Sequence, residues 1–324
     1  MTKARIGIVG GAGYTAGELL RLLINHPHAE IGWVHSGSQN GRAVAEVHQD
    51  LVGETEVRFT SELAWNAVDV LFLCGGHGAS SRFLSEHALP DHIKIIDLSQ
   101  DFRIEDSAHD FVYGLPELQR DRISQAIRVA NPGCFATCLQ LGLLPLAKGH
   151  LLSNDLHVHA ITGSTGAGQQ PTDTTHFSWR TNNVSVYKPF RHQHLREITQ
   201  SVRQLQPGFA HSLNFIPVRG NFARGIFASL YTETKLTTEE ARALFEEYYQ
   251  AMPFITITTA NPHLKQVVNT NKAVVYVEAI DGKLLIISII DNLIKGASGQ
   301  AIQNLNLMMG WDEVSGLRLK AGYF

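Results

Sequence analysis

The feature that most constrains the fold lies at the start of the chain. A short apolar run, residues 5–9, passes directly into Gly10-Gly11-Ala12-Gly13-Tyr14-Thr15-Ala16-Gly17 and then into a helix-like stretch over residues 16–25. Glycines at a strand-to-helix junction permit a tight turn and bring backbone amides close to a pyrophosphate at the helix N-terminus. The spacing is GxxG followed by Gly17, not GxGxxG, so the turn gains weight from its place at the first βα junction. Further apolar runs at residues 30–35, 68–74, 93–98 and 127–130 alternate with helical pattern, as at 80–87. This is the signature of βαβ units and a parallel sheet. An NAD site places an acidic residue at the end of the second strand, about 20 residues on. Here the chain reads His35-Ser36-Gly37-Ser38, with Arg42 shortly after. Hydroxyls and a guanidinium suit a 2′-phosphate, whereas a carboxylate would repel it, so the expected cofactor is NADP(H), with Gly10, Gly13, Tyr14, Thr15, Ser36 and Ser38 at its site.

From about residue 155 the texture changes to strands with alternation or hairpin turns: residues 157–162, 226–233, 274–280 and 284–291, the last two joined by Asp281-Gly282. Helical pattern interrupts them at 195–204 and 238–249 and closes the chain over about 297–309. The expected fold class is α/β: a Rossmann-type parallel-sheet domain plus a mixed or antiparallel α+β domain. The chain's 324 residues, 44% of them hydrophobic, suffice for two cores. A formal charge of -3 leaves no basic excess for polyanions, so neither nucleic acid nor membrane is expected as a partner. No apolar run reaches the roughly 18 residues of a membrane helix. Three cysteines, Cys74, Cys134 and Cys138, argue for a reducing compartment, and the patterned start leaves no room for a targeting peptide, so a cytoplasmic protein is expected.

Asn131-Pro132-Gly133-Cys134 precedes the apolar stretch 135–146 and puts Cys134 at a helix start, where unpaired amides and the helix dipole favour a thiolate. Cys74, inside Val-Leu-Phe-Leu-Cys, reads as a small buried hydrophobe; Cys138 fits a core residue, a disulfide or a metal partner. His157 and His159 share a strand face without a third ligand nearby, and no metal site is expected. His192-Gln193-His194 opens a helical stretch with Glu197 on the same face as His194, an arrangement suited to proton exchange with a carbonyl oxygen. The loop 163–168, Gly-Ser-Thr-Gly-Ala-Gly, either presents amides to a ligand or turns the chain.

Together these segments resemble the N-acetyl-γ-glutamyl-phosphate reductases of arginine biosynthesis, in their shorter-chain type, which are related to the aspartate-semialdehyde dehydrogenases. Besides the stretches above, the resemblance is carried by Ile96-Asp97-Leu98-Ser99-Gln100-Asp101-Phe102-Arg103, Tyr113-Gly114-Leu115-Pro116-Glu117, Arg224-Gly225-Ile226 and Asn292-Leu293-Ile294-Lys295-Gly296 running on to Gly310. Gly76, Gln193, Leu195, Arg196, Asn221 and Phe222 depart from the family pattern. The resemblance implies that Cys134 attacks the acyl phosphate, expelling inorganic phosphate and leaving a thioester that NADPH reduces to the semialdehyde. It further implies His194, oriented by Glu197, as acid/base with His192 as second choice, Arg103 as a phosphate contact, and Ser164, Gly166 and Asn292 at the cofactor. It gives an NADP-binding domain of residues 1–133 plus 297–324, a catalytic and oligomerisation domain of residues 134–296, and a homodimer or homotetramer. The alternatives are a sister reductase acting on aspartyl or aminoadipyl phosphate, or a non-catalytic NADP(H) sensor.

Overall fold

The computed structural model describes residues 3–323, which form two compact units. The first runs up to Pro132 and regains the chain at Ala297–Arg318. It holds β1 (Ala4–Val9), α1 (Tyr14–Leu23), β2 (Ala29–His35), α2 (Val44–Val47), β3 (Phe59–Thr60), β4 (Val70–Leu73), α3 (Ala79–Glu86), β5 (Lys94–Asp97), β6 (Val112–Tyr113), α4 (Pro116–Gln125), β7 (Arg128–Ala130) and the closing helix Gly299–Met308. Its seven strands are ordered β3-β2-β1-β4-β5-β7-β6, and every neighbouring pair is parallel. A parallel sheet covered by helices is buried on both faces, which is why β4, Val-Leu-Phe-Leu, is an unbroken apolar run with all four residues buried. The Rossmann-type sheet expected from the βαβ pattern is present.

The second unit spans Gly133–Gly296 and takes in the chain end from Leu319. It holds α5 (Cys134–Lys148), β8 (Leu156–Thr162), α6 (Phe177–Arg180), β9 (Ser185–Val186), α7 (His194–Leu205), β10 (Leu213–Arg219), β11 (Ile226–Glu233), α8 (Thr238–Tyr249), β12 (Ile255–Thr258), β13 (Ala273–Ile280) and β14 (Lys283–Ile290). Its sheet is mixed, in the order β12-β13-β14-β11-β8-β10-β9. The β13–β14 hairpin turns at Asp281 and Gly282, both at positive φ (48° and 73°), as a two-residue turn between twisted strands requires. Along β11, buried and more exposed residues alternate, so one face lies on the core and the other does not.

α5 is the centre of that core. Apart from its two ends, Cys134 and Lys148, its residues are buried, so the helix is apolar on all sides rather than on a stripe. β10 was not anticipated. It pairs parallel to β8 and, over two residues, antiparallel to β9. The closing helix is also shorter than its pattern suggests, because a π-helical turn, Ile294–Ser298, precedes it. Among the described residues no helix is long and apolar enough to cross a membrane, and no cluster of three metal-ligating side chains occurs.

Candidate active site

Cys134 is the first residue of α5, with Gly133 as the N-cap in an extended conformation (φ -71°, ψ 150°). A helix start leaves amides without intrahelical acceptors and carries the positive end of the dipole. The thiol is half-buried, whereas Phe135 through Ala147 behind it are buried. Cys74 and Cys138 differ in kind. Burial pushes the Cys74 thiol far above its ordinary range and the Cys138 thiol up to about 12, so neither forms a thiolate readily. Cys138 Sγ donates to Ser288 O at 3.2 Å, and all three cysteines are free thiols, which makes Cys138 a core residue.

α7 brings the other groups to the start of α5. Glu197 Oε2 accepts the Gly133 N–H at 2.9 Å, and its Oε1 lies 3.9 Å from His194 Nε2. His194, Glu197 and His192 are buried. The His194 ring lies against Gly133: a Cβ added there would run into Nε2, with ring carbons Cδ2 and Cε1 at 2.6 Å. Glycine is therefore required at 133 by the close approach of an imidazole. On the other side, a Cβ on Gly296 would come within 2.8 Å of Cys134 Cβ. Gly296 thus packs against Cys134, and Gly133 before it leaves room for the His194 ring.

The two histidines are not equivalent. His192 Nδ1 accepts the His194 N–H at 3.3 Å, which puts the His192 ring proton on Nε2. Burial, followed by the charges of Lys188 and Arg219, lowers the His192 pKa to about 4, so it is neutral at physiological pH. Its ring stands edge-on to Phe135 and Tyr187, with centroids 5.4 and 5.7 Å away. Tyr187 is held protonated, above all by burial.

The loop after β8 is held by an unanticipated contact. Asn292 Oδ1 accepts the Gly225 N–H at 2.7 Å, and its Nδ2 donates to Thr165 Oγ1 at 3.0 Å. Asn292 is buried and ties this loop to the Arg224-Gly225 turn, while Ser164 N donates to Phe222 O at 2.8 Å and Gly166 stays exposed. Asp291 next to it pairs with Arg224 at 3.1 Å.

In the first unit, Gly10 adopts φ +79°, and a Cβ there would meet Gly75 N at 2.8 Å. Gly13 caps α1 without a side-chain hydrogen bond, and a Cβ there would touch nothing within 4 Å. The amides of Tyr14 and Thr15 follow at the helix start, so the turn offers open space and donors where a pyrophosphate needs both. Gly17 serves packing instead: a Cβ there would meet His48 Nδ1 at 2.6 Å. Ser36 is buried at the end of β2, Ser38 is exposed on the following turn, and the Arg42 guanidinium lies 3.2 Å from Glu46 and 2.6 Å from Gln39 Oε1. Arg103 is buried, donating to the carbonyls of Asn131 and Leu98 at 2.9 Å each, and so braces the strand end that leads to the cysteine turn.

The two units, one with a parallel sheet and one with a mixed sheet, match the two domains of the semialdehyde dehydrogenases. Residues 5–126 match the family model described as semialdehyde dehydrogenase, NAD binding domain, and residues 134–292 the model described as semialdehyde dehydrogenase, dimerisation domain. Among solved structures, the fold is similar to aspartate semialdehyde dehydrogenase II from Vibrio cholerae (TM-score 0.75, 16% identity, covering 96% of this chain and 99% of that one). The enzyme from Candida albicans, solved with NADP, is similar at TM-score 0.71 and 13% identity, covering 95% and 99%. Proteins named N-acetyl-γ-glutamyl-phosphate reductase are much nearer in sequence: that of Parabacteroides distasonis is 58% identical over 99% of both chains, and that of Bacteroides thetaiotaomicron 56% identical over 100% of both. The chain belongs to the N-acetyl-γ-glutamyl-phosphate reductase family, a family of oxidoreductases.

Proposed function

We propose that this protein reduces N-acetyl-γ-glutamyl phosphate to N-acetylglutamate 5-semialdehyde and inorganic phosphate in arginine biosynthesis, with NADPH as reductant. The observation that carries the reading is the convergence on the start of α5: a half-buried thiol at the first helical residue, Glu197 on the preceding amide and the His194 ring against Gly133. In this reading the helix start stabilises Cys134 as thiolate, which attacks the acyl carbon; the C–O bond to phosphate breaks and a thioester forms. The chemistry a bound NADPH supplies is a hydride equivalent for the thioester carbon. His194 then passes a proton at the carbonyl-derived oxygen as the thiohemiacetal collapses and the thiolate is regenerated. Glu197 fixes both the turn and the ring, and the Cys134 amide with its neighbours stabilises the oxyanion. His192, neutral and with its tautomer set, is a positioning residue in this reading.

The first unit takes the cofactor, with Gly10, Gly13, Tyr14 and Thr15 at the pyrophosphate and Ser36 and Ser38 at the 2′-phosphate. Ser164, Gly166 and Asn292 are further residues assigned to the cofactor in this reading, and Arg103 is assigned to phosphate. The second unit carries catalysis and association. Its sheet has a face away from α5 on which half-buried Phe227, Tyr276 and Leu285 surround buried Val274, Ile287 and Ile289, and in this reading that face supports a homodimer or homotetramer. Three free cysteines fit a reducing compartment, and the cytoplasm is the place of action in this reading. The deciding experiment mixes the protein with acyl phosphate in the absence of NADPH and locates the acyl group by mass spectrometry. A thioester on Cys134 is expected, and an acyl group carried by another residue, or undiminished NADPH-dependent activity in Cys134→Ser, overturns the reading.

A further inference from the structure

β10 ends on Arg219, a residue no motif in the sequence singles out. Its guanidinium carbon stands 4.7 Å from the centroid of the Tyr187 ring. Its Nε is buried and makes no hydrogen bond, and among the described residues no carboxylate lies within ion-pair distance of it. Lys188 adds a second positive charge beside Tyr187; together with Arg219 it acts electrostatically on His192. From the His194 ring, which lies against Gly133 next to Cys134 in the chain, a row of rings runs through His192 to Tyr187, with centroids 4.6 and 5.7 Å apart, and ends in a cation. Tyr187 and Cys134 pack against the same core cluster. The acid of this region, Glu197, is directed to Gly133 and His194. The loop that carries Tyr187 holds Lys188 and Phe190 at φ 44° and 59°, a conformation that residues with side chains adopt only where their surroundings over-determine it.

We propose that Arg219, stacked on Tyr187, is the specificity-determining residue that receives the α-carboxylate of the acyl-phosphate substrate. The inference rests on the reductase reading and deepens it. Apart from the phosphate that leaves, that substrate carries one permanent anion, four bonds from the reacting carbon, which takes no part in bond making. A guanidinium presents a planar pair of donors that matches a carboxylate, and the aromatic ring beneath it fixes the plane. An anchor at that distance orients the acyl carbon without touching it, and it rejects acyl groups that lack the charge.

The test compares two aldehydes in the reverse direction, phosphate-dependent oxidation with NADP+: N-acetylglutamate 5-semialdehyde, and 4-acetamidobutanal, the same molecule without its α-carboxylate. The wild-type protein is expected to prefer the first by roughly 100-fold in kcat/KM. In Arg219→Met the preference should collapse to a few-fold, through a raised KM for the carboxylate-bearing aldehyde, and Arg219→Lys should restore part of it. If Arg219→Met does not fold, the same ratio in Arg219→Lys decides: an intermediate preference supports the anchor and an unchanged one overturns it. An undiminished preference in Arg219→Met, or equal loss on both aldehydes, overturns the assignment and leaves the reductase reading intact. A wild-type protein that oxidises neither aldehyde removes both.

Discussion

Glycine 133 is where the chemistry of this protein is most exposed to a single atom. The His194 imidazole occupies the volume that any β-carbon at 133 would need, and the neighbouring Cys134 begins the helix. Gly133→Ala should therefore displace the His194 ring while leaving both functional side chains, thiol and imidazole, chemically intact. Misplacing an acid/base by about 1 Å can lower a rate by roughly 100-fold. The expected outcome is a kcat lowered by about that factor, with thioester formation from acyl phosphate less affected and the circular-dichroism spectrum unchanged. Full kcat would show that His194 does not work from this position. The neighbouring imidazole behaves differently with pH. His192 is held at about 4 in the folded protein against an ordinary 6.5, mainly by burial. Between those values the unfolded chain takes up a proton that the folded one does not, so stability falls as pH drops through this window and is insensitive to this group above it. His192→Gln should flatten that acid limb in melting temperature measured against pH. A limb that persists unchanged in the variant would mean that His192 is not buried as a neutral ring.

At the scale of elements, the parts of the site legible in the sequence were those announced by local punctuation. Pro-Gly before an apolar run marked α5 and its first residue, His194 and Glu197 at helical spacing marked the face of α7, and Gly10 to Gly17 marked the first βα turn. β10 escaped for a physical reason. It contains Pro217, which cannot donate to a ladder and ordinarily demotes a segment, and its outer neighbour β9 is only two residues long. The proline is tolerated because β10 lies near the sheet edge, where Pro217 O still accepts the Tyr187 N–H at 3.1 Å. Missing that strand meant missing the residue at its end, Arg219, whose only sequence signal would have been an arginine beside a glycine after an apolar run. Asn292 shows a second limit: its motif was visible, but only the fold reveals that its amide is engaged with Gly225 and Thr165. Spacing reports where side chains sit along an element; it does not report which distant backbone group satisfies them.

At the scale of the molecule, the chain divides into two compact units, and the proposed assignment of nucleotide binding to the first and acyl transfer to the second can be tested one unit at a time. Gly13 is the informative position in the first unit. Its φ of -85° is open to any residue, and a Cβ there would meet no protein atom within 4 Å, so substitution should not strain the fold. What a valine would fill is the space at the start of α1 that the pyrophosphate is proposed to use. A ligand held only by the folded state stabilises it by about 2.7 kcal/mol at 100 times its Kd, which is a measurable rise in melting temperature. In the full-length protein, Gly13→Val should melt where the wild type melts without nucleotide, lose the NADPH-induced rise, and still form the Cys134 thioester with acyl phosphate. Cys134→Ser should do the opposite, keeping the rise, which should be larger for NADPH than for NADH, while forming no thioester. A Gly13→Val protein that retains the full NADPH shift would place the cofactor elsewhere. Equal shifts with NADH and NADPH in Cys134→Ser would remove the role given to Ser36 and Ser38 while leaving the cysteine chemistry standing.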